Sequence, residues 1–342
     1  PVGQGITAGS GPGHLGIFGY DPIIHEIGRG ALEALGIDFD LRPEDIAARG
    51  NFCTLDLDGT ISDRRAGRLP TPIAMKVAKI LNSISVDGAQ IFVEPVKEHR
   101  FAFILRGDGL GSNVTETDPL KTGVVPLEAV GKDLPSEKTA AIVNEFVKKA
   151  HAALAEESPA NGILLRGFDK LPVLPKYQDI FKLNPAAIAI NGMYKGVARL
   201  AGMQILPVIG ASIADEFATL EHYWNDYDFF YIHIKQTDTA GEDGDFDRKV
   251  RIIEEIDSLL PRILALNPDV LIISGDHSSP AVLKFHSWHP VPTLLYSAHA
   301  RPDGINEFGE RACQHGSLGI LPAKNVMPIA LAHAHRIAKY GA

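Results

Sequence analysis

A glycine-rich turn, Gly9-Ser10-Gly11-Pro12-Gly13-His14-Leu15, sets a serine hydroxyl at what reads as a helix start. Far downstream, Ser274-Gly275-Asp276-His277 puts two adjacent metal-capable side chains behind an apolar strand, Asp269-Val270-Leu271-Ile272-Ile273. Two further runs, Thr237-Asp238-Thr239-Ala240-Gly241-Glu242-Asp243 and His286-Ser287-Trp288-His289-Pro290-Val291-Pro292, each lie beside another predicted strand. One nucleophile, with enough Asp, His and Glu for two divalent ions, points to metal-assisted phosphoryl transfer through a phosphoserine. A serine after glycine more often serves only as a helix cap. Here its small neighbours leave room for a phosphoryl group, and a helix N-terminus favours the phosphate charge.

The other candidates carry their own commonplace alternatives. Asp276-His277 stands at the carboxyl end of a predicted strand, where open α/β sheets hold their ligands. A capping aspartate beside a surface histidine would look the same. Asp238 and Glu242 lie four apart in a predicted loop, with Asp243 and Asp245 close by, so a solvated acidic turn competes. His286 precedes the predicted strand 293–297, and His289 competes with it in the same loop. Basic residues gather in the middle of the chain: Asp63-Arg64-Arg65-Ala66-Gly67-Arg68, His99-Arg100, Arg106-Gly107 and Arg166-Gly167. Guanidinium forks match carboxylate and phosphate bidentately. These arginines adjoin glycines or strand ends instead of striping a helix face. Lys195 opens a helix after Asn191-Gly192-Met193-Tyr194, placed to neutralise a transferring phosphate.

The elements that must position these groups read as α/β. From residue 186 onward short apolar strands alternate with helices, which implies a doubly wound, mainly parallel sheet. Residues 1–48 and 185–342 would form that domain. Residues 49–184 would be an inserted α+β domain, with a helix over 72–84, strands over 90–96 and 100–106, and a long helix capped by Ser136. The first residues read as a loop into a functional turn, so a strand is expected ahead of them. With 342 residues, 45% of them hydrophobic, the chain has ample material for a core and more than one domain. The net charge of −9 argues against general nucleic-acid binding. No apolar run is long enough to cross a bilayer, so no membrane partner is expected. Cys53 and Cys313 are too few for a disulfide framework, which suits a reducing, cytoplasmic setting.

Taken together, these residues resemble a known family: cofactor-independent phosphoglycerate mutase of the archaeal type, within the alkaline phosphatase superfamily. The likeness runs along nearly the whole chain. It rests on Gly9-Ser10 with His14-Leu15, Gly19-Tyr20-Asp21-Pro22, Gly28-Arg29-Gly30 with Glu33-Ala34-Leu35-Gly36, and the specific run Asp63 to Arg68. Leu164-Leu165-Arg166-Gly167, Lys195 to Gly202 and Asp276-His277-Ser278 complete it. The resemblance implies interconversion of 3-phosphoglycerate and 2-phosphoglycerate with no requirement for 2,3-bisphosphoglycerate. It implies Ser10 as the phosphorylated nucleophile and one ion near it held by Asp276 and His277. A second ion would be held by Asp238, Glu242 and His286. An aspartate from an N-terminal strand is a further ligand that the resemblance implies and this sequence does not contain. Glu242 stands where many relatives have histidine, which shifts metal preference from zinc towards manganese or magnesium. Manganese is the first expectation, with magnesium, cobalt and zinc as alternatives.

On this reading the insertion holds glycerate through Arg64, Arg65, Arg68, Arg106 or Arg166, with His99 beside them. Asp63 is the expected proton shuttle and Lys195 the phosphate-neutralising cation. The partner is a small-molecule phosphoglycerate, and a homo-oligomer stays open. A metal-dependent phosphomonoesterase shares every ligand but has no need of an arginine-lined insertion. A homoserine-kinase-like transferase is disfavoured by the lack of a Walker loop. A metal-binding scaffold without activity is the remaining alternative.

Overall fold

The computed structural model describes residues 2–339 and residue 341. In chain order, α1 (Ser10–Ile17) and α2 (Arg29–Gly36) precede β1 (Ile46–Leu55) and β2 (Ile61–Asp63). Then come α3 (Thr71–Asn82), β3 (Gln90–Lys97), β4 (Arg100–Arg106), α4 (Leu134–Ala153), β5 (Gly162–Asp169) and α5 (Tyr177–Ile180). β6 (Pro185–Ala189), α6 (Gly192–Leu200), β7 (Gln204–Ile205), α7 (Ile213–Tyr223), β8 (Phe229–His233), α8 (Gln236–Asp243) and α9 (Phe246–Ala265) follow. The last elements are β9 (Val270–Ile273), β10 (Leu294–Ser297), α10 (Glu310–Cys313) and α11 (Val326–His333).

Two compact units result, residues 1–26 with 174–342 and residues 27–173. The expected breaks were 48/49 and 184/185. The first moves because α2 packs on β1 and β5 and so belongs with the insertion.

In the 27–173 unit, five strands form one antiparallel sheet. The path β2-β1-β4-β3 is joined by β5 against β1. β3 and β4 make the expected hairpin. Phe101, Phe103 and Leu105 of β4 are buried with Val77 and Leu81 of α3 and Val143 and Phe146 of α4. Burying each such side chain contributes about 1.5–3 kcal/mol. The cap of α4 is Asp133, whose carboxylate accepts from the Ser136 N–H, and not Ser136 as expected. The helix starts earlier because Leu134-Pro135 fits its first turn, where proline loses no hydrogen bond.

In the other unit the parallel sheet is small: β7-β6-β8, with β6 parallel to both neighbours. β9 and β10 pair antiparallel with each other, apart from the mainly parallel sheet expected from the sequence. The chain turns back on itself between them, and a further antiparallel bridge joins Ser278 to Ser287. Ile188, Phe217, Leu220 and Ala240 form the buried centre. Among the described residues, no helix is long and apolar enough to cross a membrane.

Glu216 on α7 is 1% exposed, and both its carboxylate oxygens are buried without a hydrogen-bond partner. Burial, helped by the charge of Asp215, pushes its pKa up to about 8. The folded state therefore binds a proton more tightly than the unfolded chain. That contribution is complete below the ordinary carboxylate range and is lost as pH rises through about 8. Urea unfolding between pH 5 and 8.5 should show stability falling by a few kcal/mol with pH, on the order of 1.4 kcal/mol per pKa unit. Glu216→Gln should flatten the profile. An unchanged slope in the variant would refute the assignment.

Candidate functional site

Ser10 is the first residue of α1, after Gly9 in extended conformation. α1 can lie against the segment after β9 because Gly13 has no side chain. A Cβ there would meet the Asp276 carbonyl oxygen at 2.5 Å. The Ser10 Oγ then lies 3.2 Å from His277 Nε2 and accepts from Tyr194 Oη at 3.4 Å. Burial raises the Tyr194 pKa above the usual phenol value, so it remains a donor. Ser279 Oγ donates to Asp238 Oδ1 and lies 3.1 Å from His277 Nδ1. A serine hydroxyl has one proton, so Ser279 can only accept from an Nδ1–H of His277. His277 Nε2 then carries the lone pair that faces Ser10. Hydrogen bonds thus run in one direction, from Tyr194 through Ser10, His277 and Ser279 to Asp238.

Asp276 Oδ2 lies 3.1 Å from His277 Nε2 and 3.2 Å from His14 Nδ1. The atom is buried, and no donor meets it in hydrogen-bond geometry. Burial pushes the carboxyl up, but the neighbouring imidazoles, His14 foremost, outweigh it and hold it well below the usual range.

The run 237–243, expected as a loop, is part of the helix α8. That matters because residues four apart share a helix face. Asp238 Oδ1 lies 3.6 Å from His286 Nε2 and 3.8 Å from His277 Nδ1. Glu242 Oε1 lies 3.5 Å from the same His286 nitrogen, on a side chain 49% exposed. His286 Nδ1 lies 3.2 Å from the Ala8 carbonyl, which requires Nδ1–H as donor and leaves the Nε2 lone pair free. Asp238, His277 and His286 bring ligand atoms within 4.8 Å of one another. The antiparallel β9–β10 pair is what returns His286 to His277, whose rings stack at 3.6 Å. Carboxylate oxygens with imidazole nitrogens suit manganese, cobalt or zinc. An orphaned buried carboxylate oxygen beside two imidazoles is a further sign that these residues fit a divalent ion.

α6 brings Tyr194 to the Ser10 hydroxyl. A cation that reaches the cluster is Lys235, whose Nζ donates to Asp238 Oδ2 and lies 5.8 Å from the Tyr194 ring centre. Burial raises the Asp238 pKa, but the hydrogen bonds from Lys235 and Ser279 and nearby positive charge more than offset it. His289, the competitor to His286, bonds Ser287 instead.

The 27–173 unit carries a second feature, a pocket of about 330 Å³ lined by six arginines: Arg49, Arg64, Arg65, Arg68, Arg100 and Arg166. Asn51, Glu98 and His99 complete its wall. Arg49 Nε, Arg166 Nε, Asn51 Oδ1 and His99 Nδ1 are buried without hydrogen-bond partners. Burial, then Arg100 and Arg65, pushes His99 down to about 4, so it is neutral at physiological pH. Arg64 is anchored by a bidentate pair with Asp118 at 2.9 and 2.7 Å.

Arg106, expected in this set, is elsewhere. It forks onto Asp45 at 2.8 and 2.7 Å and onto the Asp40 carbonyl, and lies over the rings of Phe39 and Phe92. Asp63, expected to shuttle a proton, accepts from the Arg65 and Gly67 N–H groups, one on each oxygen. It closes a turn in which Ala66, Gly67 and Arg68 all have positive φ, at 44°, 63° and 54°. Such strain, held next to a ligand-sized pocket, fits a turn built to present Arg65 and Arg68. Arg49 was missed from the sequence altogether. Its signal was the alternation Arg49, Asn51 along a strand whose other face is apolar.

A family profile described as 2,3-bisphosphoglycerate-independent phosphoglycerate mutase matches residues 1–161. A protein of Thermotoga sp. strain RQ2 named "Probable 2,3-bisphosphoglycerate-independent phosphoglycerate mutase" is 50% identical over all of this chain and 85% of its own length. One of the same name from Thermus thermophilus is 51% identical, with the same coverage. A solved structure from Pyrococcus horikoshii matches all of this chain and 87% of its own, with TM-score 0.83 and 30% identity. The cofactor-independent phosphoglycerate mutase of Thermoplasma acidophilum matches 94% of this chain and 86% of its own, with TM-score 0.72 and 28% identity. Half-identity along the entire chain, joined to a metal-capable serine cluster and an arginine pocket, shows that the chain belongs to the 2,3-bisphosphoglycerate-independent phosphoglycerate mutases.

Proposed function

We propose that this phosphoglycerate mutase interconverts 3-phosphoglycerate and 2-phosphoglycerate through a phosphoserine at Ser10. The observation that carries the proposal is the Ser10 hydroxyl, 3.2 Å from a lone-pair-bearing His277 nitrogen beside the buried Asp276 carboxylate. Asp276 and His277 would hold one divalent ion, and Asp238, His286 and Glu242 a second, manganese being the first choice. Such ions supply Lewis acidity, lowering the pKa of the serine hydroxyl and neutralising the phosphoryl oxygens.

The chain's own groups do the rest. Tyr194 orients Ser10 Oγ, which gives up its proton and bonds to phosphorus as the bond from phosphorus to one glycerate oxygen breaks. The vacated glycerate oxygen takes a proton. The other glycerate hydroxyl then loses its proton and attacks phosphoserine, which regenerates Ser10. Lys235, and Lys195 half-buried on α6, are the cations proposed to offset charge on the phosphoryl group. Arg65, Arg68, Arg166 and the anchored Arg64 bind the carboxylate and phosphate. Neutral His99 serves as a hydrogen-bond partner for an alcohol oxygen. Asp63 is assigned to holding the arginine turn.

In fold terms, we read the unit with the serine as a doubly wound, alkaline-phosphatase-like layer. Its support is the parallel β7-β6-β8 sheet and a cluster at the carboxyl ends of β8 and β9. Free Cys53 and Cys313 agree with a reducing, cytoplasmic setting.

The test is phosphorus NMR of manganese-loaded protein with 3-phosphoglycerate. A growing 2-phosphoglycerate signal is expected. Inorganic phosphate alone would make the chain a hydrolase and overturn the mutase reading.

A further inference from the structure

We infer that Glu33 is a positioning residue for the arginine pocket, acting through Arg49 and Arg100; this rests on the reading of that pocket as the phosphoglycerate site. The sheet itself creates the problem that Glu33 solves. Arg49 on β1 stands directly opposite Arg166 on β5, and Asn51, two residues on, stands opposite Arg100 on β4. Residues two apart on a strand, and residues directly opposite across an antiparallel pair, share one face. Three guanidinium groups therefore crowd one face of three adjacent strands, and like charges facing each other across strands repel. Left to themselves they would swing apart towards solvent.

α2 puts a carboxylate there. Its N-terminus is tied down by the Gly28 N–H, which donates to Asp169 Oδ2 at 2.8 Å. The helix then presses onto β1 at Gly30, where an added Cβ would lie 2.1 Å from the Ala47 carbonyl oxygen. Only glycine permits that approach. Glu33, one turn further on the same face, is thereby held low over the sheet. Its Oε1 lies 3.1 Å from Arg49 Nε and 3.6 Å from Arg100 Nη1, and its side chain is 12% exposed. One carboxylate oxygen thus spans two of the three arginines. Arg49 Nε is buried and makes no hydrogen bond, so the contact with Glu33 holds the guanidinium by charge. Glu33 neutralises one of three charges, and the face keeps its capacity for an anion.

Two opposite outcomes are open to experiment. If Glu33 positions the arginines, its loss weakens substrate binding. If it merely competes with the substrate for them, its loss tightens binding. Steady-state mutase kinetics on the metal-loaded full chain separate these outcomes. Glu33→Gln should raise KM for 3-phosphoglycerate about tenfold while kcat changes less than about threefold, the size expected for coupling within one charge network. Glu33→Asp keeps the charge and should keep KM within about threefold of the unsubstituted protein. In an Arg49→Ala, Arg100→Ala background, Glu33→Gln should add little further loss, because the groups it acts through are gone. A purely structural role would cost the same in either background. An unchanged or lower KM in Glu33→Gln, an equal loss in Glu33→Asp, or full additivity overturns this inference. A rise in KM for unsubstituted protein beyond any saturating range overturns the pocket reading and this inference together. Normal saturation with an indifferent Glu33 overturns this inference alone.

Discussion

Ser10→Ala is expected to reduce mutase turnover by roughly four to six orders of magnitude, the scale seen when a covalent nucleophile is removed. The side chain has no substitute: Tyr194 Oη is held as a phenol by burial, and Ser279 Oγ is committed to Asp238. The fold should survive. Ser10 is the first residue of α1 and offers no side-chain cap, and alanine suits a helix. The hydrogen bonds it forms, to His277 and from Tyr194, contribute about 1 kcal/mol each at most. Unfolding of the variant should therefore track the unsubstituted protein. Peptide mass spectrometry after exposure to 3-phosphoglycerate should find one added phosphoryl group on the peptide that contains Ser10. A label on His14 or His277 would replace the phosphoserine with a phosphohistidine route and refute the assignment. Both imidazoles lie close enough to make that a real alternative: His14 Nδ1 is 2.7 Å from the Ser10 carbonyl, and His277 Nε2 is 3.2 Å from its hydroxyl.

What could be read from sequence followed from how local the signal was. Ser10, Asp276 and His277 sit beside glycines at element ends, and strand-end placement alone marks such residues as candidates. The pairing of Asp238 with Glu242 had no geometric meaning in a loop. It acquired one only when α8 formed immediately after β8. Lys235 was illegible because one lysine at a strand end carries no spacing; its role depends on Tyr194 and Asp238 arriving from other segments. Arg106 misled for the complementary reason. It adjoins glycine like the pocket arginines, yet its partner Asp45 lies 61 residues earlier and is visible only after β1 and β4 pair. The sheet of the serine-bearing unit reads as mainly parallel because short apolar strands look alike in either direction. The antiparallel turn-back of β9 and β10 is a tertiary choice, and it is what brings His286 to His277.

Asp238→Ala should remove about one divalent ion per chain after dialysis and lower turnover by at least roughly a hundredfold, the upper range for loss of a group that supports a metal site. Its expected effect exceeds that of Glu242→Ala for geometric reasons. Asp238 faces both His277 and His286 and is side-chain buried to 12% exposure, while Glu242 reaches only His286 from a side chain 49% exposed. Two imidazoles without a carboxylate hold a divalent ion poorly, whereas Asp238, His277 and His286 still form a three-sided site when Glu242 is lost. Removing Asp238 also frees Lys235, so an ammonium would stand unpaired beside the remaining histidines and repel the ion. Asp238→Asn separates the two effects. It keeps the shape and a hydrogen-bond acceptor for Ser279 but loses the charge, and should fall between Asp238→Ala and the unsubstituted protein in metal content. Equal metal stoichiometry across Asp238→Ala, Asp238→Asn and Glu242→Ala would show that the ion is held elsewhere. The natural place would then be the other side of His277, where Asp276 Oδ2 lies buried between two imidazoles without a donor of its own.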